Sequence, residues 1–278
     1  MCSNQDGLGW LRRPFHGMAA WPWFNKFSCL LDILHVVDYR GVASHLLGNA
    51  FWHFVSTRCF PDCRNQESSF DALNAAMVSN QRQHGVLHKL PRLDKANLFG
   101  KEASGTSFPV LRGPGVKAAN TRAAVPFVAE LSRQLDDGSV IAGKIRSCCE
   151  GLDGYLSVVY GGGIFLGNEE LQDMERFVRQ FNRAYMWLAH HFAQMGQCRF
   201  SVVPKHHYFC HVLVQARLIN PRFTQTYKGE SLVGRGCALF RANMSGPYQR
   251  RVQRKLLQQY ILGFEISSQL SLTQLEPK

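Results

Sequence analysis

The segment Phe27-Ser-Cys-Leu-Leu-Asp-Ile-Leu-His-Val-Val-Asp-Tyr-Arg-Gly-Val42 places two acidic residues and a histidine within an apolar run. Residues 27–34 are apolar enough to predict a short β-strand, and a helical pattern follows the segment. Acidic side chains seldom lie inside an apolar run unless they are paired, bound to a metal or catalytic. Asp32 and His35 are therefore candidate functional residues, whereas Asp38 is predicted to cap the helix that follows.

Asp32 and His35 also have a purely structural interpretation. An aspartate can cap the first turn of a helix, and a histidine can lie half-buried without any chemical role. Short Asp/His coincidences are common in sequences, so the three-residue spacing does not separate the two interpretations.

Beyond this segment, apolar residues recur at helical spacing through most of the chain. A helix is predicted after Gly41, another at residues 68–83, and an almost continuous helical pattern from Val116 onward. The clearest helix begins near Asn168, which is its predicted N-cap. The continuous apolar face of this helix consists of Leu171, Met174, Phe177, Phe181, Leu188, Phe192 and Met195. The predicted fold class is mostly α, a helical bundle-like region with one short strand near the N-terminus.

Composition divides the chain into three parts. Residues 1–26 are rich in Trp, Pro and Gly, show no period and are predicted to be an unpatterned tail. Residues 27–100 contain the Asp32 segment and two helices. Residues 116–268 form a predicted helical domain, and the turn-rich residues 98–115 are the best candidate for a linker.

Membrane and secretory signals are lacking from the sequence. No run of 18 apolar residues could span a bilayer, and no basic stretch followed by an apolar one opens the chain as in a signal peptide. The nine cysteines lack the paired spacing of a zinc site and stand mostly in apolar contexts, which is typical of reduced, buried thiols. These features predict an intracellular protein without a membrane partner.

Positive charge is concentrated in the last part of the chain. The whole sequence has 32 Lys and Arg against 20 Asp and Glu, and residues 176–264 contain 14 basic residues with Glu230 as the one acid. Such an imbalance predicts a polyanionic partner, and nucleic acid is the commonest one. The candidate nucleic-acid-binding residues are Lys205, Arg222, Lys228, Arg235, Arg250, Arg251, Arg254 and Lys255. Alternatively, some arginine stems cover apolar helix faces.

Two further features suggest metal binding. Glu230 is a single carboxylate among many cations, so it is either a structural ion-pair partner or an acid that holds Mg²⁺ at the centre of an anion-binding surface. His207 and His211 are one helical turn apart, a spacing that suits metal binding. Because the H-E-x-x-H glutamate and an obvious third ligand are missing, this pair does not predict a zinc hydrolase. A structural role for both histidines is the alternative.

Two blocks of the sequence resemble one family. Leu31-Asp-Ile-Leu-His-Val-Val-Asp-Tyr-Arg-Gly-Val-Ala-Ser44 resembles the Asp-x-x-His block of CACTA/KDZ-type cut-and-paste transposases. Pro204-Lys-His-His-Tyr-Phe-Cys-His211 resembles the Pro-Lys-x-His-x-x-x-His block near the end of the same proteins. Residues 28–265 also look like a large set of uncharacterised repeated proteins of dinoflagellate genomes, a resemblance that carries little functional information.

The transposase resemblance implies an RNase H-like catalytic core interrupted by a helical insertion, with an Asp-Asp-Glu set that holds Mg²⁺. It places Asp32 at the second Asp, His35 as its companion and Glu230 at the final Glu. Asp32, His35 and Glu230 would then be catalytic, and Asp32 and Glu230 would be metal ligands. The later block of the family matches Lys205, His207 and His211.

The sequence departs from this family at its start. Upstream of Asp32 the one acid is Asp6, within the unpatterned tail, and the expected DNA-end-binding domain is missing. We therefore expect a truncated, transposase-derived DNA-binding protein, intracellular and nuclear, in which catalysis is impaired. If it is active, it is a Mg²⁺-dependent polynucleotidyl transferase or nuclease. The alternative is a non-catalytic helical protein that binds nucleic acid or another partner.

Overall fold

The computed structural model describes residues 30–100 and 106–226, and helices dominate this part of the chain. The helices are α1 (Val42–Ser56), α2 (Gln66–Gln83), α3 (Lys95–Phe99), α4 (Ala118–Ala123), α5 (Val125–Gln134), α6 (Val140–Gly161), α7 (Asn168–Gln194) and α8 (Pro204–Ala216). A π-helical turn at Leu34–Asp38 precedes α1, and a 3-10 turn at Pro221–Thr224 follows α8. The predicted mostly α fold class is confirmed for these residues, which contain no β-strand.

The strand predicted at residues 27–34 is wrong where the structure describes it, from Leu30 onward. In its place Asp32 starts the helical turn: its Oδ1 accepts a hydrogen bond from Leu34 N at 2.9 Å, and its carbonyl accepts one from Val36 N at 3.0 Å. The apolar residues of this turn are all buried, so they form a short continuous apolar run. Such a run does not distinguish a helix from a strand. The expected strand remnant of an RNase H-like core is therefore not present in residues 30–34.

The two longest helices, α6 and α7, pack against each other most extensively. Their close approach depends on Gly151, where an added Cβ would lie 2.9 Å from the carbonyl oxygen of Phe177 and from the amide nitrogen of Phe181. The N-cap of α7 is Gly167 rather than the predicted Asn168. Glu170 closes this end of the helix, because its Oε2 accepts a hydrogen bond from Gly167 N at 2.7 Å.

Helix α1 is buried along most of its length and lies at the centre of the remaining contacts. The segment 109–111 runs against it, with Leu111 N donating to Ser44 O at 2.9 Å. Asn49, which is fully buried, donates to Pro109 O at 3.0 Å and accepts from Phe200 N at 2.8 Å. This asparagine therefore joins two loops that are distant in sequence to the central helix.

Helix α8 packs against α7 and against the Leu34–Asp38 turn, so both transposase-like blocks lie side by side. None of the helices among the described residues is long and apolar enough to cross a membrane. The part of the predicted helical pattern that follows Thr226 lies outside the described residues. The predicted division into residues 27–100 and 116–268 stays a prediction.

Candidate functional site

Asp32 and His35 form a direct pair. Asp32 Oδ2 lies 2.6 Å from His35 Nδ1, while Oδ1 caps the helical turn through Leu34 N. The Asp32 side chain is 19% exposed and that of His35 is 43% exposed, so solvent reaches the imidazole. The capping role agrees with the structural interpretation. The orientation of an imidazole by a carboxylate is also what a general base requires, so the catalytic role of this pair stays a prediction.

The other members of the predicted catalytic and DNA-binding sets lie mostly beyond the described residues. These are Glu230, Lys228, Arg235, Arg250, Arg251, Arg254 and Lys255, and their roles stay predictions. Within residues 30–100 and 106–226, no group of three or more His, Cys, Asp or Glu side chains is arranged to hold a metal ion. Of the two proposed Mg²⁺ ligands, Asp32 is the described one.

Asp38 differs from its predicted role as the cap of α1. The N-cap of α1 is Gly41, which makes no side-chain hydrogen bond, whereas Asp38 is 1% exposed with its Oδ2 3.6 Å from Arg122 Nη1. The backbone carbonyl of Asp38 accepts a hydrogen bond from Ser44 Oγ at 3.0 Å. A carboxylate inside the core requires a cationic partner, and Arg122 supplies it. The predicted capping role of Asp38 was wrong because this aspartate pairs with a residue that is distant in sequence. The sequence at the start of α1 contains no signal for such a pair.

Arg122 extends this pair into a partly buried polar network. Its Nη1 donates to the Tyr160 hydroxyl at 2.6 Å, and that hydroxyl donates to Gln225 Oε1 at 3.0 Å. Burial and, to a lesser extent, the nearby charge of Asp38 raise the pKa of Tyr160 to about 12. Tyr160 therefore stays protonated and joins α6 to α4 and to the segment after α8. Sequence patterns missed Arg122 and Tyr160, although a buried acid implies that such a partner exists.

The inner face of α8 carries His206, which is 5% exposed. Its ring centroid lies 4.4 Å from that of Tyr185 and 6.1 Å from that of His45, and its Nδ1 accepts a hydrogen bond from Val203 N at 3.2 Å. Burial lowers the pKa of both histidines to about 4, and for His45 the neighbouring His206 and Lys205 act in the same direction. Both imidazoles are therefore neutral at pH 7. His206 packs within the core, whereas His45 is half-buried, with its Nδ1 3.1 Å from Ser201 Oγ.

Lys205 and Arg222 are the described members of the predicted DNA-binding set. Lys205 is half-buried and donates from Nζ to Tyr39 O at 3.1 Å and to Arg40 O at 3.0 Å, which fastens α8 to the loop before α1. Burial and the charge of Arg40 lower the pKa of Lys205. Arg222 is exposed, and its Nη1 donates to Tyr160 O at 2.9 Å. Both cations have structural contacts, and their DNA contacts stay predictions.

The outer face of α8 presents His207 and His211. The Nε2 atoms of these exposed histidines are 2.9 Å apart, and the ring centroids are 4.5 Å apart with the planes at 83°. The one-turn juxtaposition predicted from their spacing is confirmed. One imidazole donates to the other in this arrangement, and both ε nitrogens point to the same place in solvent-exposed surroundings.

No protein-family model matches this sequence, and no curated protein or solved structure is significantly similar to it. The resemblance to transposases therefore rests on the two short blocks around Asp32 and His207. Those blocks lie side by side in the fold, since α8 packs against the Leu34–Asp38 turn.

Proposed function

We propose that this chain is a transposase-derived protein that binds DNA and is impaired in strand cleavage. The observation that carries the proposal is the concentration of 14 basic residues, with one acid, in residues 176–264. Contacts between such cations and phosphates supply most of the affinity of a protein for DNA, because counterions are released from the duplex. The remaining chain has 18 basic and 19 acidic residues, so it contributes no net attraction.

The arginines of α7 and of the segments after it differ in their ion pairs, and this difference supports the proposal. Arg176 and Arg179, near its start, pair with Asp173 and Glu175. Further along the chain Arg183, Arg217 and Arg222 are exposed, and none of them pairs with an acidic side chain of residues 30–100 or 106–226. Exposed arginines of this kind are available to phosphates without the cost of breaking an existing pair.

The environment of Asp32 is consistent with impaired cleavage. Two-metal phosphoryl transfer uses two or three carboxylates that share Mg²⁺ ions about 4 Å apart. Asp32 already uses one oxygen to cap a helical turn and the other to bind His35. An imidazole is a poor ligand for Mg²⁺, which prefers oxygen, so His35 does not replace a missing carboxylate.

The salt dependence of DNA affinity tests the proposal. Fluorescence anisotropy with a labelled duplex should show an affinity that falls on the order of 10³-fold between 50 and 200 mM salt if six phosphates are contacted. An affinity that does not change with salt would exclude a phosphate-binding surface and would favour the alternative, a helical protein that binds a partner other than nucleic acid.

A charge-matched pair of variants locates the binding surface. The first replaces four basic residues of the C-terminal third by glutamine, Arg250, Arg251, Arg254 and Lys255. The control replaces four exposed basic residues elsewhere, Arg64, Arg82, Lys89 and Lys95. Both lose four charges, but only the first should reduce the slope of log affinity against log salt, by about 3 to 4. Equal effects of the two variants would show that net charge, not a surface, drives binding.

The second candidate function is Mg²⁺-dependent polynucleotidyl transfer. It is favoured by the orientation of the His35 imidazole by Asp32, 2.6 Å away, which would suit a general base, although the same contact occupies an oxygen of Asp32. It predicts Mg²⁺-dependent nicking of supercoiled DNA that is lost in Asp32→Asn and Glu230→Gln. The control is Asp71→Asn, because Asp71 is exposed and pairs with Arg92 on the surface. Identical Mg²⁺ titrations of the wild type and Asp32→Asn would exclude the metal site.

A further inference from the structure

The exposed histidine pair of α8 has a geometry that goes beyond the proposed DNA binding. His207 and His211 lie within a helix of 13 residues that begins with Pro204, so the backbone holds their one-turn spacing. Their Nε2 atoms are 2.9 Å apart, and both side chains are exposed. Two ring nitrogens therefore lie side by side at an exposed position of a regular helical scaffold.

The distance matches a cis pair of metal ligands. Two nitrogens that each lie about 2.0 Å from one ion are about 2.8 Å apart at a 90° ligand angle and about 3.3 Å apart in tetrahedral geometry. We propose that His207 and His211 form a two-histidine clamp for a late first-row divalent metal ion. Cu²⁺ is the preferred ion, because it has the highest intrinsic affinity for nitrogen ligands in this series.

The surroundings leave the other coordination positions open. Cys210 is exposed on the same helix, but its Sγ accepts a hydrogen bond from Asn182 Nδ2 at 3.3 Å and contacts His206 O at 3.5 Å. Within the part of the chain that the structure describes, no third His, Cys, Asp or Glu completes the site. Water or an external ligand would therefore occupy the remaining positions of the ion.

A hydrogen bond between the two imidazoles accounts for the same distance in the absence of metal. One ring donates from Nε2 and the other accepts, so the pair holds a single proton between the nitrogens. For a divalent ion to bind both Nε2 atoms, the donor ring changes tautomer: its proton leaves Nε2 and Nδ1 takes one up, so that both rings are neutral with a free lone pair at Nε2. The metal-free contact thus preorganises the site, and little side-chain movement is needed on binding.

The chain contains an internal control with the same sequence spacing. His84 and His88 are also four residues apart and exposed, but α2 ends at Gln83 and Gly85 has a φ of 60°. The helical geometry that brings His207 and His211 together is therefore lost between His84 and His88. If helical geometry is what creates the site, loss of the His207/His211 pair should weaken metal binding and loss of the His84/His88 pair should not. Spacing and number of histidines are the same in the two pairs.

The test is a calorimetric titration of the full chain with Ni²⁺ and with Cu²⁺, after accessible thiols have been alkylated. His207→Ala and His211→Ala should each weaken the tightest step by roughly tenfold or more, since even the loss of a group that only supports a ligand costs that much. The double variant His84→Ala/His88→Ala should bind the metal with the affinity of the wild type. Binding to other sites of the chain is common to the wild type and all variants, so it does not affect the comparison. Circular dichroism confirms that each variant is folded.

Electron paramagnetic resonance of the Cu²⁺ form provides a second readout. The wild type should show coupling to two imidazole nitrogens, and each single alanine variant should show coupling to one fewer. The proposal is overturned if His207→Ala and His211→Ala retain the wild-type affinity, or if the spectra of the wild type and these variants are the same. These measurements contain no DNA, so they fail or succeed independently of the proposed function.

Discussion

The Leu34–Asp38 turn and helix α8 both resemble transposase blocks and pack against each other, yet they use polar residues in different ways. The turn directs Asp38 into the core, where Arg122 lies beside it. Helix α8 has two faces, with His206 buried on one and His207 exposed on the other. Residue patterns that resemble a family therefore do not distinguish side chains that pack in the core from side chains that a ligand can reach. The direction in which each side chain points does distinguish them.

Two polar residues of α8 hold the neighbouring block in place. Gln215 accepts a hydrogen bond from Leu31 N at 2.7 Å and donates to Leu31 O at 3.2 Å, while Lys205 donates to the carbonyls of Tyr39 and Arg40. The two blocks are therefore joined through backbone groups on both sides of the Leu34–Asp38 turn. Their proximity needs no shared catalytic chemistry to explain it.

Removing Arg122, which pairs with Asp38, should have the largest effect on stability. In Arg122→Ala the carboxylate of Asp38 loses the nearest described cation within the core, which should lower the free energy of unfolding by about 3 kcal/mol. Urea denaturation followed by circular dichroism measures this difference.

The control for Arg122 is an arginine with an exposed partner. Arg133 Nε lies 3.2 Å from Glu150 Oε1, but the two side chains are 53% and 36% exposed. Arg133→Ala should therefore cost less than about 1 kcal/mol. Equal losses in the two variants would mean that the Asp38 pair is not buried as the structure shows.

The buried histidines should make stability depend on pH. The pKa of His206 is about 4 in the folded protein, below its ordinary value of about 6.5, so the unfolded chain binds more protons between these pH values. Stability should therefore be complete above pH 6.5 and should fall as the pH drops toward 4. His206→Phe should reduce the loss between pH 7 and pH 4.5 by about 2 kcal/mol.

Urea denaturation of both proteins at pH 7 and at pH 4.5 measures this dependence. His45 also faces His206, so the variant removes the charge repulsion between the two rings as well. Val214→Phe is the control, because it adds a phenyl ring at an exposed position of α8 without removing an ionisable group. If His206→Phe follows the wild-type pH curve, this histidine binds protons equally in the folded and the unfolded chain, which would contradict its lowered pKa.

The sequence predicted the helical fold and the juxtaposition of His207 with His211, because both follow from a 3.6-residue period. It did not predict the turn at Leu34–Asp38, since a helical turn with buried apolar residues and a buried strand present the same short apolar run. The Asp38–Arg122 contact also could not be predicted from the spacing of residues in the sequence, because the two residues belong to elements that meet through tertiary packing. Burial of an acid implies a cation but does not say which one.

Loss of the amide that joins the two blocks should have a smaller effect. Gln215 is buried, and its side chain makes hydrogen bonds to both Leu31 N and Leu31 O. Gln215→Ala leaves these backbone groups without that partner and should lower the free energy of unfolding by about 1.5 kcal/mol. Gln172→Ala, at an exposed position of α7, should stay within about 0.5 kcal/mol of the wild type. If Gln215→Ala had the same free energy of unfolding as the wild type, the hydrogen bonds between α8 and Leu31 would not contribute to stability, contrary to this prediction.

Lys205 is the residue for which the structural and the DNA-binding roles make opposite predictions. Its ammonium group donates to Tyr39 O and Arg40 O, and Met has a similar length without donors. If the contacts are structural, Lys205→Met should lower the free energy of unfolding by about 1 kcal/mol and leave the salt slope of DNA binding unchanged. If Lys205 contacts a phosphate, the slope should fall by about 1 with stability preserved. The half-buried position and the two carbonyl acceptors favour the first outcome, so we expect a loss of stability, measured by urea denaturation, at an unchanged salt slope, measured by anisotropy.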